Sequence, residues 1–525
     1  MIKLEGHNLS IKDVVLIARN MEEASLSDNA VKEMIKSREF VEEIIEKETS
    51  IYGINTGFGP LSRTRISKDE LNEHQLHLLH HLSVGQGDLF PKDETRAIMV
   101  ARANALARGF SGIRPLVVNR LVDFLNKEVY PEIPTEGSVG ASGDLVPLAH
   151  LARALIGLGD VEYEGKQVKA SDLLKSLNLE SIELLAKEGL ALVNGTSVMT
   201  GVAALATYDA ASILSLSEAM TAFYVEVMFG ESEPFCHRVA MARGHRGQAL
   251  VADRIADILR SSSQYKTEID EHQWGCNHKP VVEGIDIQDP YSLRCVPQIL
   301  GAIQDALWHI QSVVTRELNS TTDNPLIFPE DKMVIHCGNF YGQHVSMVMD
   351  YLKISMAKLA LLVERQTERL MNEKYNLGLS PMLSQGKLGL NSGLMGCQLL
   401  STSLAAEIRM LSNPASVQTI STNANNQDVV SMGCISAKNT STMITLVWKV
   451  LAVQALSLAQ AFDLRGESFS PGEKFKTFYQ KIRALSPELK EDRPLYKDIE
   501  EVISLLKNDD FIGSIATERP VTSEQ

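Results

Sequence analysis

The stretch GSVGASGDLVPLAH at 137–150 sets Ala141, Ser142 and Gly143, three of the smallest residues, directly before an acid and an apolar run. Small residues suit backbone that approaches something closely or bends where bulkier residues cannot. Asp144 reads as the N-cap, and Pro147 as a first-turn residue, of a helix running through LAHLARALIGL. The tripeptide therefore precedes a helix N-terminus, where amide N–H groups and the helix dipole favour negative charge. A tight turn accounts for Ala-Ser-Gly alone, but no simple turn requires the composite G-x-V-x-A-S-G-D-L-x-P-L. A second dense cluster is HQLHLLHHL at 74–82, where His74, His77 and His81 share one helical face. His74 and His81 are then about 10 Å apart along the axis, too far to share an ion that holds nitrogens at about 2 Å. Only a pair such as His77 and His81 could chelate, and no HExxH-type acid accompanies it, so no metal site is expected.

Long helices must position these groups. Apolar residues recur at three- and four-residue steps through 345–373, 195–229, 297–318 and 435–463. Helices of that length need one another to bury their stripes, which predicts a large bundle. The clearest strand signal is DVEYEGKQV at 160–168, read as a small hairpin. Gly-, Asn- and Pro-rich segments at 51–63, 133–144, 284–298, 319–343 and 411–433 are the loops on which chemistry would sit. The tail 464–525 is charged and weakly patterned, and reads as peripheral helices with a frayed end.

At 525 residues the chain exceeds one ordinary core. Its 44% hydrophobic and 22% charged content is that of a globular protein. A net charge of −15 argues against a nucleic-acid surface. The N-terminus lacks a secretory h-region. The most membrane-like stretch, 444–462, is interrupted by Lys449, Gln454 and Gln460 and reads as a buried core helix. Scattered cysteines without a CxxC pair read as reduced thiols of a cytoplasmic protein.

The composite at 137–148 resembles that of the aromatic amino acid ammonia-lyases, with their related aminomutases. In that family Ala-Ser-Gly cyclises autocatalytically into 4-methylideneimidazole-5-one, MIO. The resemblance implies that the Gly143 nitrogen attacks the Ala141 carbonyl and that Ser142 becomes the electrophilic methylidene. It extends over roughly 5–480 and rests on further motifs in order. IYGINTGFG at 51–59 carries Tyr52, the implied base, and LVNGTSVMTG at 192–201 carries Asn194. QDPYSLRCVPQ at 288–298 carries Gln288, Tyr291 and Arg294. TTDNPLIF and HCGNFYGQ carry Asn324 and Phe340, and NNQDVVSMG carries Gln427. The chemistry is coherent: a feebly acidic β-proton must be removed while an amine, a poor leaving group, departs, so a cofactor-like electrophile carries the hard step. A tyrosinate is a sufficient base where positive potential favours it. Arg294 is suited to clamp a substrate carboxylate, and Asn194 to stabilise charge developing on the ring.

The two family positions that face the substrate ring are His81 and Leu82 here. His-Leu is typical of tyrosine enzymes, Phe-Leu of phenylalanine enzymes and Ser-His of many histidine enzymes. An imidazole can hydrogen-bond a phenol hydroxyl while Leu82 packs on the ring. The expectation is a tyrosine ammonia-lyase releasing 4-coumarate. Glu407 matches a pocket glutamate of histidine lyases, which keeps histidine ammonia-lyase open. Tyrosine 2,3-aminomutase and a non-catalytic helical scaffold stay open beside it. The resemblance further implies a mainly α, fumarase/aspartase-like long-helix bundle with a smaller N-terminal lobe. Residues 1–195 would bear the tripeptide and the selectivity helix, and 196–525 the bundle. A homotetramer with active sites shared between chains is implied, with an aromatic amino acid as the small-molecule partner and neither nucleic acid nor membrane involved.

Overall fold

The structure, a computed structural model, describes residues 1–47, 49–270 and 288–517. Four long helices dominate it: Ser197–Val227, Val296–Leu318, Gln343–Met371 and Gly433–Arg465. They fall within two residues of the spans predicted from apolar spacing, the usual uncertainty of a fraying helix end. Two of them, Ser197–Val227 and Gly433–Arg465, are long and apolar enough to cross a membrane. Yet 94% and 83% of their most apolar windows are buried inside the chain. A helix apolar on all sides must be surrounded, and here protein surrounds it. Sheets among the described residues are small. The expected hairpin is present as Asp160–Tyr163 antiparallel to Lys166–Lys169, with Glu164 and Gly165 both at positive φ in the connecting turn.

The chain divides into two compact units. The first comprises Met1–Tyr208, Ile310–Asp350 and Pro414–Ser441, the second Asp209–His309, Tyr351–Asn413 and Thr442–Gln525. The first unit takes residues from both sides of position 195, so the lobes 1–195 and 196–525 describe chain order rather than these units. In the first unit the almost wholly buried helix Lys92–Ala107 packs against Ile11–Arg19 and Pro115–Asn126. Buried Arg96 ties all three together, donating to the Ile17 carbonyl at 2.9 Å and the Leu125 carbonyl at 2.7 Å.

The tail is less peripheral than its charge implies. Phe475, Phe478 and Ile482 on helix Glu473–Leu485 are fully buried. Phe475 stacks on Phe223 at 4.8 Å. Apolar groups at 475, 478 and 482 form a core-facing stripe between lysines, which dilute the pattern on a plain reading of composition. The frayed end lies outside the described residues from 518 onward.

Glu226 accepts the Gly472 N–H at 2.7 Å just before this tail helix. Burial pushes its carboxyl up to about 7. Between the ordinary carboxylate range and about 7 the folded chain therefore holds a proton that the unfolded chain has released. The associated stability is fully present below that range and lost as pH rises through 7. Thermal melts from pH 5 to pH 8 are expected to show this decline, and Glu226→Gln to flatten it. An unchanged slope in that variant would remove Glu226 as its source.

Candidate active site

Four irregular segments of the first unit, carrying Tyr52, residues 137–144, residues 319–342 and residues 414–432, converge with the end of helix Leu71–Leu82 around one cavity of about 1260 Å³. The Ala-Ser-Gly turn forms part of its wall. Gly143 has φ +68, and a Cβ there would overlap the carbonyl oxygen of Gly195. The turn is laced to that residue: the Gly195 N–H donates to the Ser142 carbonyl at 3.2 Å, and the Asp144 N–H to the Gly195 carbonyl at 2.8 Å. Gly195 in turn has no room for a side chain, because Arg102 and Thr322 stand where its Cβ would be. On the other side the Met432 N–H donates to the Val139 carbonyl at 3.0 Å and the Ser431 hydroxyl to the Gly140 carbonyl at 3.1 Å.

Asp144 occupies the N-cap position of helix Leu145–Leu155, yet its side chain makes no capping bond there. The carboxylate instead accepts the Met199 N–H at 2.9 Å, in the first turn of Ser197–Val227, and the Ser138 hydroxyl at 3.1 Å. It caps the longer helix from outside, because the turn at 141–143 aims it away from its own helix. Fully buried, it is pushed up to about 7 by desolvation, against those hydrogen bonds.

Ten of the sequence-selected residues line this cavity: Tyr52, His81, Leu82, Ala141, Ser142, Gly143, Asn194, Asn324, Phe340 and Gln427. The Tyr52 hydroxyl accepts the Gly59 N–H at 3.3 Å, and the Gln427 amide approaches the Ser142 hydroxyl at 3.4 Å. Asn324 is held by the Cys337 N–H, which donates to its side-chain oxygen at 2.8 Å. The His81 Nδ1 lies 3.1 Å from the His77 carbonyl. A carbonyl only accepts, so Nδ1 carries a proton, and in the neutral ring Nε2 is then an acceptor. His74 stacks on Phe58 with ring centres 4.4 Å apart, fixing the wall behind.

Gln288, Tyr291, Arg294 and Glu407 belong to the second unit and are not among the lining residues. Gln288 and Tyr291 are exposed, and the Arg294 guanidinium lies over the Tyr291 ring at 4.8 Å. Glu407 is exposed on helix Met395–Leu411.

Sequence reasoning missed a buried charge cluster behind the wall. Lys187 is completely buried and pairs with Asp323 at 2.6 Å. Arg102, also buried, donates to the Asn194 carbonyl at 3.0 Å and lies beside Ala191. Nothing in local spacing couples Lys187 to a partner 136 residues away. The one available signal is a charged residue within an apolar run, as Arg102 is in IMVARANALA.

The family model for aromatic amino acid lyases matches residues 9–484. The chain is 40% identical over 507 residues to the histidine ammonia-lyase of Caldanaerobacter subterraneus subsp. tengcongensis, covering 97% of this chain and 96% of that one. It is also 40% identical over 512 residues to the histidine ammonia-lyase of Bacillus subtilis, covering 98% and 97%. Among solved structures, a tyrosine aminomutase from Streptomyces globisporus matches with a TM-score of 0.91 at 37% identity, covering 98% of each chain.

A helical bundle with these relatives defines a carbon–nitrogen lyase of the ammonia-lyase kind. The chain belongs to the aromatic amino acid lyase family. Membership supports MIO as its prosthetic group.

The expected tyrosine ammonia-lyase activity, with tyrosine as substrate and 4-coumarate as product, is corrected by these relatives. The sequence relatives that match nearly the whole chain at 39% to 40% identity are named histidine ammonia-lyases. The physical reason lies at His81. A ring nitrogen that accepts a hydrogen bond takes an imidazole N–H as readily as a phenol O–H, so His-Leu does not single out tyrosine.

Proposed function

We propose that this protein is an MIO-dependent histidine ammonia-lyase, which eliminates ammonia from L-histidine to give urocanate. The observation that carries the substrate is the near end-to-end similarity to histidine ammonia-lyases. Support for the chemistry comes from the turn at 141–143. It is tight enough for Ala141 and Gly143 to bridge as neighbours, and the Gly195 carbonyl fills the space a Gly143 side chain would need. Ring closure joins the Gly143 nitrogen to the Ala141 carbonyl carbon with loss of water, and a second water leaves from the Ser142 side chain. The resulting group supplies an electrophile for the substrate amine, which no ordinary side chain offers.

The chain's own residues do the rest. Tyr52 receives the β-proton at its phenolic oxygen, and the nearby Gly59 N–H stabilises that oxygen when it is anionic. His81 accepts the imidazole N–H of the substrate at Nε2, while Leu82 and Phe340 exclude water from the ring. Gln427 and Asn324 border the reacting end. Arg294, with Tyr291 and Gln288, clamps the substrate carboxylate, and Glu407 pairs with its imidazole. A homotetramer with sites shared between copies would deliver these second-unit residues.

The test is purified protein given L-histidine, L-tyrosine and L-phenylalanine separately, followed by the ultraviolet absorbance of each conjugated acid and by chromatography for β-amino acids. Urocanate is expected. His81→Leu is expected to raise KM for L-histidine about tenfold, the worth of one hydrogen bond to a buried ring. Accumulation of β-tyrosine would favour a tyrosine 2,3-aminomutase, a second reading supported by the structural likeness to the Streptomyces enzyme. Silence on all three amino acids would end the lyase reading.

A further inference from the structure

Asn194 borders the cavity, and the sequence assigns it a charge-stabilising role that calls for a free N–H. The structure leaves it none. Its side-chain nitrogen donates to the Asp323 carboxylate at 2.9 Å and to the Asn324 carbonyl at 3.1 Å. An amide nitrogen has two hydrogens, and both are used. Both partners are acceptors only, so the carboxamide has one allowed orientation, with nitrogen inward and Oδ1 left over.

The second Asp323 oxygen is held by Lys187 at 2.6 Å, and Lys187 is fully buried. The first Asp323 oxygen also accepts the Asn324 N–H at 2.7 Å. A buried ion pair is seldom retained for stability, because desolvating two charges offsets most of their attraction. What the pair does secure is a fixed carboxyl group whose first oxygen accepts from Asn194. Arg102 fixes the backbone carbonyl of the same residue from below.

We propose that Lys187 and Asp323 are positioning residues that hold the Asn194 carboxamide with its oxygen as the group offered to the cavity, where it accepts an N–H from the amine of the bound amino acid. This rests on the ammonia-lyase reading and goes beyond it in assigning the amine's partner and the buried pair that orients it. An oxygen at that point suits an ammonium or amine and disfavours an anion.

Asp323→Asn tests it at nearly constant volume. The variant replaces one of the two acceptor-only partners with a group that has both a donor and an acceptor, so the Asn324 carbonyl alone is left to hold the Asn194 amide in its orientation. In the full-length enzyme, KM for L-histidine is expected to rise about tenfold, with a smaller change in kcat. The intact mass should still show the loss of two waters. In an Asn194→Ala background the same substitution should change kcat/KM by no more than about twofold, because the partner it orients is gone. Should Asp323→Asn fail to fold, Lys187→Met/Asp323→Asn removes both charges and enters the same cycle. Losses that add across the cycle, or that fall on kcat alone, would overturn the positioning role while leaving an active lyase. A parent protein that neither loses the two waters nor releases ammonia from any aromatic amino acid would overturn the lyase reading, and this inference with it.

Discussion

Ser142→Ala is expected to fold and melt like the parent and to lose at least about a thousandfold in turnover. The two halves of that result have separate causes. Ser142 is only partly buried, and its hydroxyl has one long contact, 3.4 Å from the Gln427 amide. Removing it should alter stability by no more than about 0.5 kcal/mol. Its backbone carbonyl keeps the bond from Gly195, so the turn stays laced. Chemically, the hydroxyl is the only source of the second water in the proposed ring, and without it no electrophile forms. Intact mass, a thermal melt and a urocanate assay on one preparation make the test. Brisk turnover by this variant would end the MIO mechanism for this protein.

Gly143→Ala is expected to abolish turnover as well, but to destabilise the first unit at the same time. The Cβ would overlap the Gly195 carbonyl oxygen, in a backbone conformation of φ +68 that strains any residue with a side chain. Relief requires the turn and Gly195 to part, which breaks the Asp144-to-Gly195 and Gly195-to-Ser142 hydrogen bonds. Two hydrogen bonds at about 1 kcal/mol each, with 1 to 2 kcal/mol for the left-handed backbone, give roughly 3 to 4 kcal/mol. Gly195 is itself crowded, with Arg102 and Thr322 standing where its own Cβ would be. Comparing the melts of the two variants separates a chemical role from a steric one. Equal melting temperatures would mean that the contact with Gly195 is not rigid.

The long helices were legible because apolar spacing over some thirty residues outweighs local noise, and Ser197–Val227 and Gln343–Met371 follow it closely. The tail was harder. Phe475, Phe478 and Ile482 form a short stripe among lysines, and composition hides it. Motifs brought Tyr52, Ser142, Asn194 and Gln427 to one cavity from four distant segments, something spacing alone could not do. Asp144 stands at the N-cap position read from the sequence, but its carboxylate caps a different helix, since sequence shows which residue precedes a helix and not where its side chain is aimed. Lys187 and Asp323 left no mark, because a buried ion pair between distant residues has no periodicity. The reading of tyrosine from His81 was overturned because an imidazole that accepts a hydrogen bond does not by itself choose between a phenol and an imidazole.

The lacing of residues 141–144 to Gly195 and Met199 has a further consequence. Those partners lie more than fifty residues downstream, and the Asp144 contact belongs to the first turn of a thirty-one-residue helix. A nascent or denatured chain lacks this clamp, so on the proposed chemistry its tripeptide stays linear. Ring closure then happens once, after the fold has assembled, and the bonds it makes survive later unfolding. The dehydrated tripeptide is thus a covalent memory of having been native: a chain denatured afterwards would still carry it, and one that never folded would not.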